Sequence, residues 1–190
     1  MLIRKYIPTL FLLTMVTLAF CKHEGISTVQ EATSIKAPSG MAKIESRSGS
    51  KVQGVIILTQ NNQDQVLLQI DLTGFAPNST HAFHIHANGD CSDPKAVSAG
   101  PHFNPTASHH GGPDAQNRHA GDMGNLKANE KGEVHTQRIN TMVTLDGDLP
   151  NSAIGKAIII HESEDDFKTQ PTGNAGGRIA CGVITKGIDH

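Results

Sequence analysis

The sequence predicts an all-β domain, a sandwich or barrel of short strands broken by one long irregular segment. Three observations lead there. Apolar residues alternate with polar ones in short bursts, as at Val52, Val55, Ile57 and along Gln65-Val-Leu-Leu-Gln-Ile-Asp-Leu72, the period-two pattern of half-buried strands. Turn-forming Gly, Pro, Asn and Asp fill the gaps between these bursts. No stretch carries a sustained helical stripe. The 190 residues are enough for one domain with a real core and an appendage.

Further strands are expected at His81–His86, Glu133–Leu145, Ile154–His161 and Arg178–Lys186. They are separated by turn chemistry at Asn61-Asn62, Gly74, Pro77-Asn78, Glu130-Lys131-Gly132 and Asp146-Gly147-Asp148. Ala87–Asn125 breaks the rhythm, being rich in Gly, Pro, His and Asp with almost no apolar alternation. A structureless segment this long is usually functional or disordered.

The N-terminus reads differently. Arg4 and Lys5 precede an apolar run, Ile7 to Phe20, which is too short to span a bilayer and has the layout of an export signal. Leu18-Ala19-Phe20-Cys21 resembles the lipobox of bacterial lipoproteins, which makes Cys21 a candidate for lipidation. Phe20 departs from the small residue usual before that Cys, so ordinary cleavage after Ala19 or Cys21 stays open. Residues 22–41 read as a flexible tether, and residues 42–190 as the folded domain. The expected location is the periplasm or cell envelope, with any membrane contact confined to the lipid anchor.

Composition narrows the function. Sixteen Lys and Arg against 18 Asp and Glu give a net charge of −2, which argues against a nucleic-acid binder. Setting Cys21 aside leaves Cys91 and Cys181, and an even remainder in an exported chain reads as one disulfide. Seven of the eleven His (81, 84, 86, 102, 109, 110 and 119) fall within 39 residues. Neutral imidazole is the commonest nitrogen ligand for zinc and copper. His84 and His86 sit two apart on an expected strand and so project from one face. His102, His110, His119 and Asp122 would complete a tetrahedral zinc shell. His161 ends the apolar run Ala157-Ile-Ile-Ile160, a strand able to return it beside His84 and His86.

Five stretches carry a resemblance. His81-Ala-Phe-His-Ile-His86, Gly100-Pro-His-Phe-Asn-Pro105, His110-Gly-Gly-Pro113, Arg118-His119 with Gly121-Asp-Met-Gly-Asn125, and Gly173-Asn-Ala-Gly-Gly-Arg-Ile-Ala-Cys-Gly-Val183 resemble copper/zinc superoxide dismutase. The motifs occur in the family's order and span about residues 42–186. The resemblance implies a Greek-key antiparallel sandwich or barrel, an architecture of which this family is itself a standard example, with long metal-binding and active-site loops. It implies that the chain dismutes superoxide to oxygen and hydrogen peroxide and, if exported, protects the envelope. Copper would be held by His84, His86, His102 and His161, and zinc by His102, His110, His119 and Asp122, with His102 bridging the two. Asp165 would orient one ligand of each metal, Arg178 would guide the anion, and Cys91–Cys181 would tie a loop to the last strand. A homodimer is compatible with it.

The chemistry agrees, since dismutation needs a metal that cycles by one electron, which zinc cannot do and copper can. Some residues depart from the family pattern. Pro171 stands where the family often carries Lys, and between His161 and Arg178 four acidic residues (Glu162, Glu164, Asp165, Asp166) face Lys168 alone. Loss of residues 1–20 would leave 14 Lys and Arg against 18 Asp and Glu, a net −4, so long-range steering would be weaker than usual. Two other readings compete, a noncatalytic copper-binding or copper-delivery module and a structural sandwich holding zinc alone. The first usually lacks a copper ligand or the Arg, and the second has no need of His84, His86 and His161 together. His23, His81, His109, His135 and His190 receive no role.

Overall fold

The structure is a computed structural model that describes residues 39–187. The export signal, Cys21, most of the tether, His23 and His190 lie outside the described residues. Eight strands follow in chain order: β1 (Ser39–Ser46), β2 (Gln53–Gln60), β3 (Val66–Thr73), β4 (Thr80–His86), β5 (Asp122–Lys127), β6 (Val134–Asn140), β7 (Ala157–His161) and β8 (Arg178–Lys186). A short 3-10 turn spans Val97–Ala99.

All strand pairs are antiparallel, in the order β5-β4-β7-β8-β1-β2-β3-β6. The steps from β3 to β4 and from β6 to β7 therefore cross between non-neighbours, the connectivity of a Greek key. The sheet curls almost into a barrel, and Arg138 Nη2 on β6 donates to the Asn125 carbonyl on β5 at 3.1 Å, across the remaining gap.

Alternation builds the core. Ala42 and Ile44 of β1, Ile56 and Leu58 of β2, and Val66, Leu68, Ile70 and Leu72 of β3 all point inward. Phe83, Ile85, Leu126, Val134, Ile158, Ile160 and Ile184 close it from the other strands. Each of the larger of these side chains contributes about 1.5–3 kcal/mol by leaving water. β4 and β7 are buried on both faces, and on their outer side Ala96, Ala99, Ala157, Ile159 and Cys181 form a second small cluster beneath the loop after β4.

Boundaries shift where side chains or turns intervene. β1 starts at Ser39, inside the span read as tether, because Ser39–Met41 pair with Ile57–Thr59. β5 forms within the segment read as irregular, because pairing with β4 outweighs its weak sequence pattern. β6 ends at Asn140 rather than continuing to Leu145. There the buried Asn140 amide donates to Ala120 O, and its oxygen accepts from the backbone N–H of Met142 and Val143, which turns the chain. β7 begins at Ala157, since Gly155 at φ 77° turns the preceding residues.

Candidate metal centre

β4 carries both functions by alternation. Phe83 and Ile85 enter the core, while His84 and His86 emerge from the opposite face. β7 pairs with β4 and ends in His161, which is register-paired with Arg178 at the start of β8. The loop after β4 returns His102 beside His86 through an isolated antiparallel bridge. His110, His119 and Asp122 then follow on the way into β5.

The result is two buried clusters sharing one residue. Nitrogens of His84, His86, His102 and His161 converge within 4.8 Å of one another, as do ligand atoms of His102, His110, His119 and Asp122. In the second cluster, Asp122 Oδ1 lies 2.9 Å from His102 Nδ1, 3.0 Å from His110 Nδ1 and 3.2 Å from His119 Nδ1. Asp122 Oδ2 is anchored by the backbone N–H groups of Gly111 and His119. In the first cluster, His86 Nδ1 is committed to the Gly100 carbonyl at 2.8 Å. Its Nε2 faces His161 Nε2 at 3.4 Å.

These donor sets fit metals. Buried polar atoms ordinarily have partners, yet His84 Nδ1 and His102 Nε2 have none, and His110 Nδ1 has only the Asp122 carboxylate close by, without an aligned hydrogen bond. Each is the nitrogen that faces its cluster. Pairs of ring nitrogens 3.4 Å apart, His86 with His161 and His102 with His119, are favourable around a shared cation. Four imidazoles suit copper, and three imidazoles with one carboxylate suit zinc.

Asp165 links the clusters. Its Oδ2 contacts His84 Nε2 at 2.8 Å and its Oδ1 contacts His110 Nε2 at 2.9 Å, so both rings turn Nδ1 toward the metal pockets. Such outer partners fix tautomer and orientation. Asn125 holds Asp165 in turn, accepting from its N–H at 2.8 Å and donating to its carbonyl at 3.0 Å. Arg178 is half-buried, with Nη1 donating to Ala96 O and Nη2 to Gly100 O, both at 2.7 Å. Gly100 O therefore serves His86 and Arg178 together. Cys91 and Cys181 are disulfide-bonded, which fastens the loop carrying those carbonyls to β8.

Burial sets the electrostatics. Desolvation lowers His84 to about 4 despite the Asp165 bond, and it holds His86 and His161 well below the usual imidazole range. Such rings stay neutral and ready to ligate. Burial opposes charge on His110 also, but its bonds to Asp122 and Asp165 prevail and raise it to about 9. Burial would raise Asp122 and Asp165; their His partners instead hold both carboxyls far below the ordinary carboxylate range.

Residues 52–184 match the family model for copper/zinc superoxide dismutase. The chain belongs to that family. A solved structure titled "Crystal Structure Analysis of the clock protein EA4" is 36% identical, with a TM-score of 0.71, covering 79% of this chain and 95% of that one. The family's copper and zinc fit the two clusters described above, so the superoxide dismutase fold, disulfide and metal-binding character are all present here.

Several contributors escaped sequence reasoning. His81, given no role, places Nδ1 2.8 Å from the His161 carbonyl. Asn125 and Gly173 lie in stretches quoted for resemblance, without a reason for either. Gly100 acts through its carbonyl, which carries no residue signal. Gln170, in a loop with no motif, bonds the backbone of His110. A cavity of about 460 Å³, lined by His102, His119, Phe103, Lys156 and Thr172 among others, opens onto the site from the side of the second cluster. Lys156 Nζ lies 4.9 Å over the Phe103 ring on its wall.

Proposed function

We propose that this superoxide dismutase works as an exported enzyme of the cell envelope, with each residue in the role assigned below. The observation that carries the metal roles is the division of His102, whose Nδ1 lies in one cluster and whose Nε2 faces the other without a protein partner. His84, His86, His102 and His161 would hold copper, and His102, His110, His119 and Asp122 would hold zinc. Copper when bound supplies one-electron oxidation and reduction, which no side chain here can provide.

The overall change converts two superoxide anions and two protons into one dioxygen and one hydrogen peroxide. The chain's own part is to attract an anion, admit it to a dry site and deliver protons. Arg178, charged and clamped by two carbonyls, gives the anion a fixed attractive point beside His161; this family is itself a standard example of electrostatic steering. His102 Nε2 is the free nitrogen at which a proton can be taken up and passed on. Asp165 keeps His84 and His110 aimed, and Asp122 balances charge in the zinc cluster.

Export, a lipid anchor on Cys21 and protection of the envelope rest on the N-terminal pattern, and a homodimer on the resemblance. The competing reading, a noncatalytic copper-binding module, is disfavoured by the joint presence of all six His, Asp122, Asp165 and Arg178. Metal analysis paired with a superoxide-consumption assay on the purified chain decides between them. One copper and one zinc with rapid consumption is the expected result; copper binding without consumption would favour the module. Fractionation of producing cells, with and without Cys21→Ser, tests the anchor.

A further inference from the structure

The zinc cluster's His110 is gripped from three directions, and one grip comes from a residue outside any recognised motif. Gln170 Oε1 accepts from His110 N–H at 2.8 Å, and Gln170 Nε2 donates to His110 O at 2.9 Å. This two-point bond imitates one rung of a β-ladder and permits a single orientation of the amide. The loop behind it is built to present Gln170. Asp166 accepts from Lys168 N–H, Thr169 N–H and the Thr169 hydroxyl. Gly173 N–H closes onto Thr169 O at 2.7 Å. The same device recurs at the other end of the Asp165–His110 contact, where the Asn125 amide takes both backbone groups of Asp165. The two partners of that contact are thus each fixed by a primary amide.

We infer that Gln170 is a positioning residue for the zinc ligand His110, setting how firmly its Nδ1 is offered to the metal; this rests on reading the His110 cluster as the zinc site. Away from the Asp122 side of the zinc pocket, His110 is held at two points, Asp165 at the ring and Gln170 at the peptide. With the peptide released, the ring pivots about its Asp165 contact and Nδ1 leaves the point shared with His102, His119 and Asp122. Gln170 itself is exposed and lies outside the apolar core, so its effect falls on the ligand rather than on core packing. Outer partners of ligands are typically worth 10–100-fold in metal affinity.

The test uses the full chain loaded with copper and zinc, with zinc loss followed by transfer to a coloured chelator. Gln170→Ala is expected to release zinc on the order of tenfold faster than the wild type. Gln170→Glu should fall between them, because a carboxylate still accepts from His110 N–H but repels its carbonyl. Cobalt(II) placed in the zinc pocket gives a second readout. Its visible bands should change in Gln170→Ala, which a simple loss of loop stability would not cause. Wild-type release rates and unchanged cobalt bands in a folded Gln170→Ala chain would overturn the proposal alone. A wild-type chain that holds no zinc would overturn the reading of the cluster itself.

Discussion

Gly173 packs its backbone directly against the carboxylate of Asp165, in the space a side chain would need. A Cβ there would sit 2.6 Å from Asp165 Cγ and 2.7 Å from His110 Nε2. The residue also adopts φ 67°, a conformation that costs other residues about 1–2 kcal/mol. Gly173→Ala should therefore cost about 2–4 kcal/mol from crowding and backbone strain together. It should lower the Tm of the metal-loaded chain by on the order of 10 °C and reduce its zinc content. Thermal unfolding with metal analysis checks both, and a variant with native zinc and Tm would contradict this view of the contact.

Asp165→Asn separates the charge of this bridge from its shape. Both Asp165 oxygens accept, from His84 Nε2 and His110 Nε2, so each ring keeps its proton away from its metal pocket. An amide offers one oxygen and one NH2 group. The ring facing NH2 must accept instead, which moves its proton to the metal-facing Nδ1. One metal should therefore bind 10–100-fold more weakly while the other stays near native. Competition titrations with chelators for each metal would show the asymmetry.

The disulfide joins Cys91 and Cys181 across a sequence separation of 90. In the chain-entropy model a loop of this size is worth roughly 4–5 kcal/mol, an upper figure. The Cys91 carbonyl also accepts from Arg47 Nε at 3.0 Å. Farther along the same loop, Ala96 O and Gly100 O hold Arg178, and Gly100 O also holds His86. Cys181→Ser should therefore lower Tm and reduce the dismutation rate together. A stability loss with an unchanged rate would mean that those carbonyls hold their places without the bond.

Much of this was legible in the sequence, because alternation and ligand spacing are local signals. β2 and β3 announce themselves by burying every second residue. His84 and His86 share a face for the same reason. β5 was not legible: Asp122-Met-Gly-Asn-Leu-Lys127 contains a Gly at φ 82° and becomes a strand only because β4 supplies the partner. His81, Asn125 and Gln170 act through backbone groups of residues 40–80 positions away, and Gly100 offers its own carbonyl to the ring of His86, 14 positions away. No local pattern encodes such contacts, so they emerge only when the chain has closed.

Arg178→Ala should lower the second-order rate and flatten its dependence on ionic strength. The guanidinium is half-buried beside His161, so its pull is short-ranged and only partly screened, whereas the exposed acidic residues Glu162, Glu164 and Asp166 act through solvent and are screened by salt. Stopped-flow rates across a salt series distinguish the two contributions. An unchanged rate in the variant would remove Arg178 from substrate guidance.

The metal-free chain should lose stability as pH falls below about 6.5, well before ordinary carboxylates titrate. His84 is lowered to about 4 by burial, against 6.5 when unfolded, so between those values the unfolded chain binds a proton that the folded one refuses. Stability is therefore present above pH 6.5 and drains away toward pH 4, by at most roughly 3 kcal/mol from this group. His86 and His161, also lowered by burial, act in the same direction. The depressed carboxyls of Asp122 and Asp165 add a further loss below about pH 4, as protonation reaches the unfolded chain first. His110 has the opposite sign: raised to about 9, it stabilises fully below 6.5, and that contribution is lost as pH rises through 9. Urea unfolding of the metal-free chain should thus show a maximum near pH 6.5, with stability declining toward pH 4 on one side and toward pH 9 on the other. Metal loading should flatten the curve near neutrality, since ligated imidazoles no longer titrate there. A metal-free chain equally stable at pH 7 and pH 4.5 would contradict the assignment of these rings as neutral and buried.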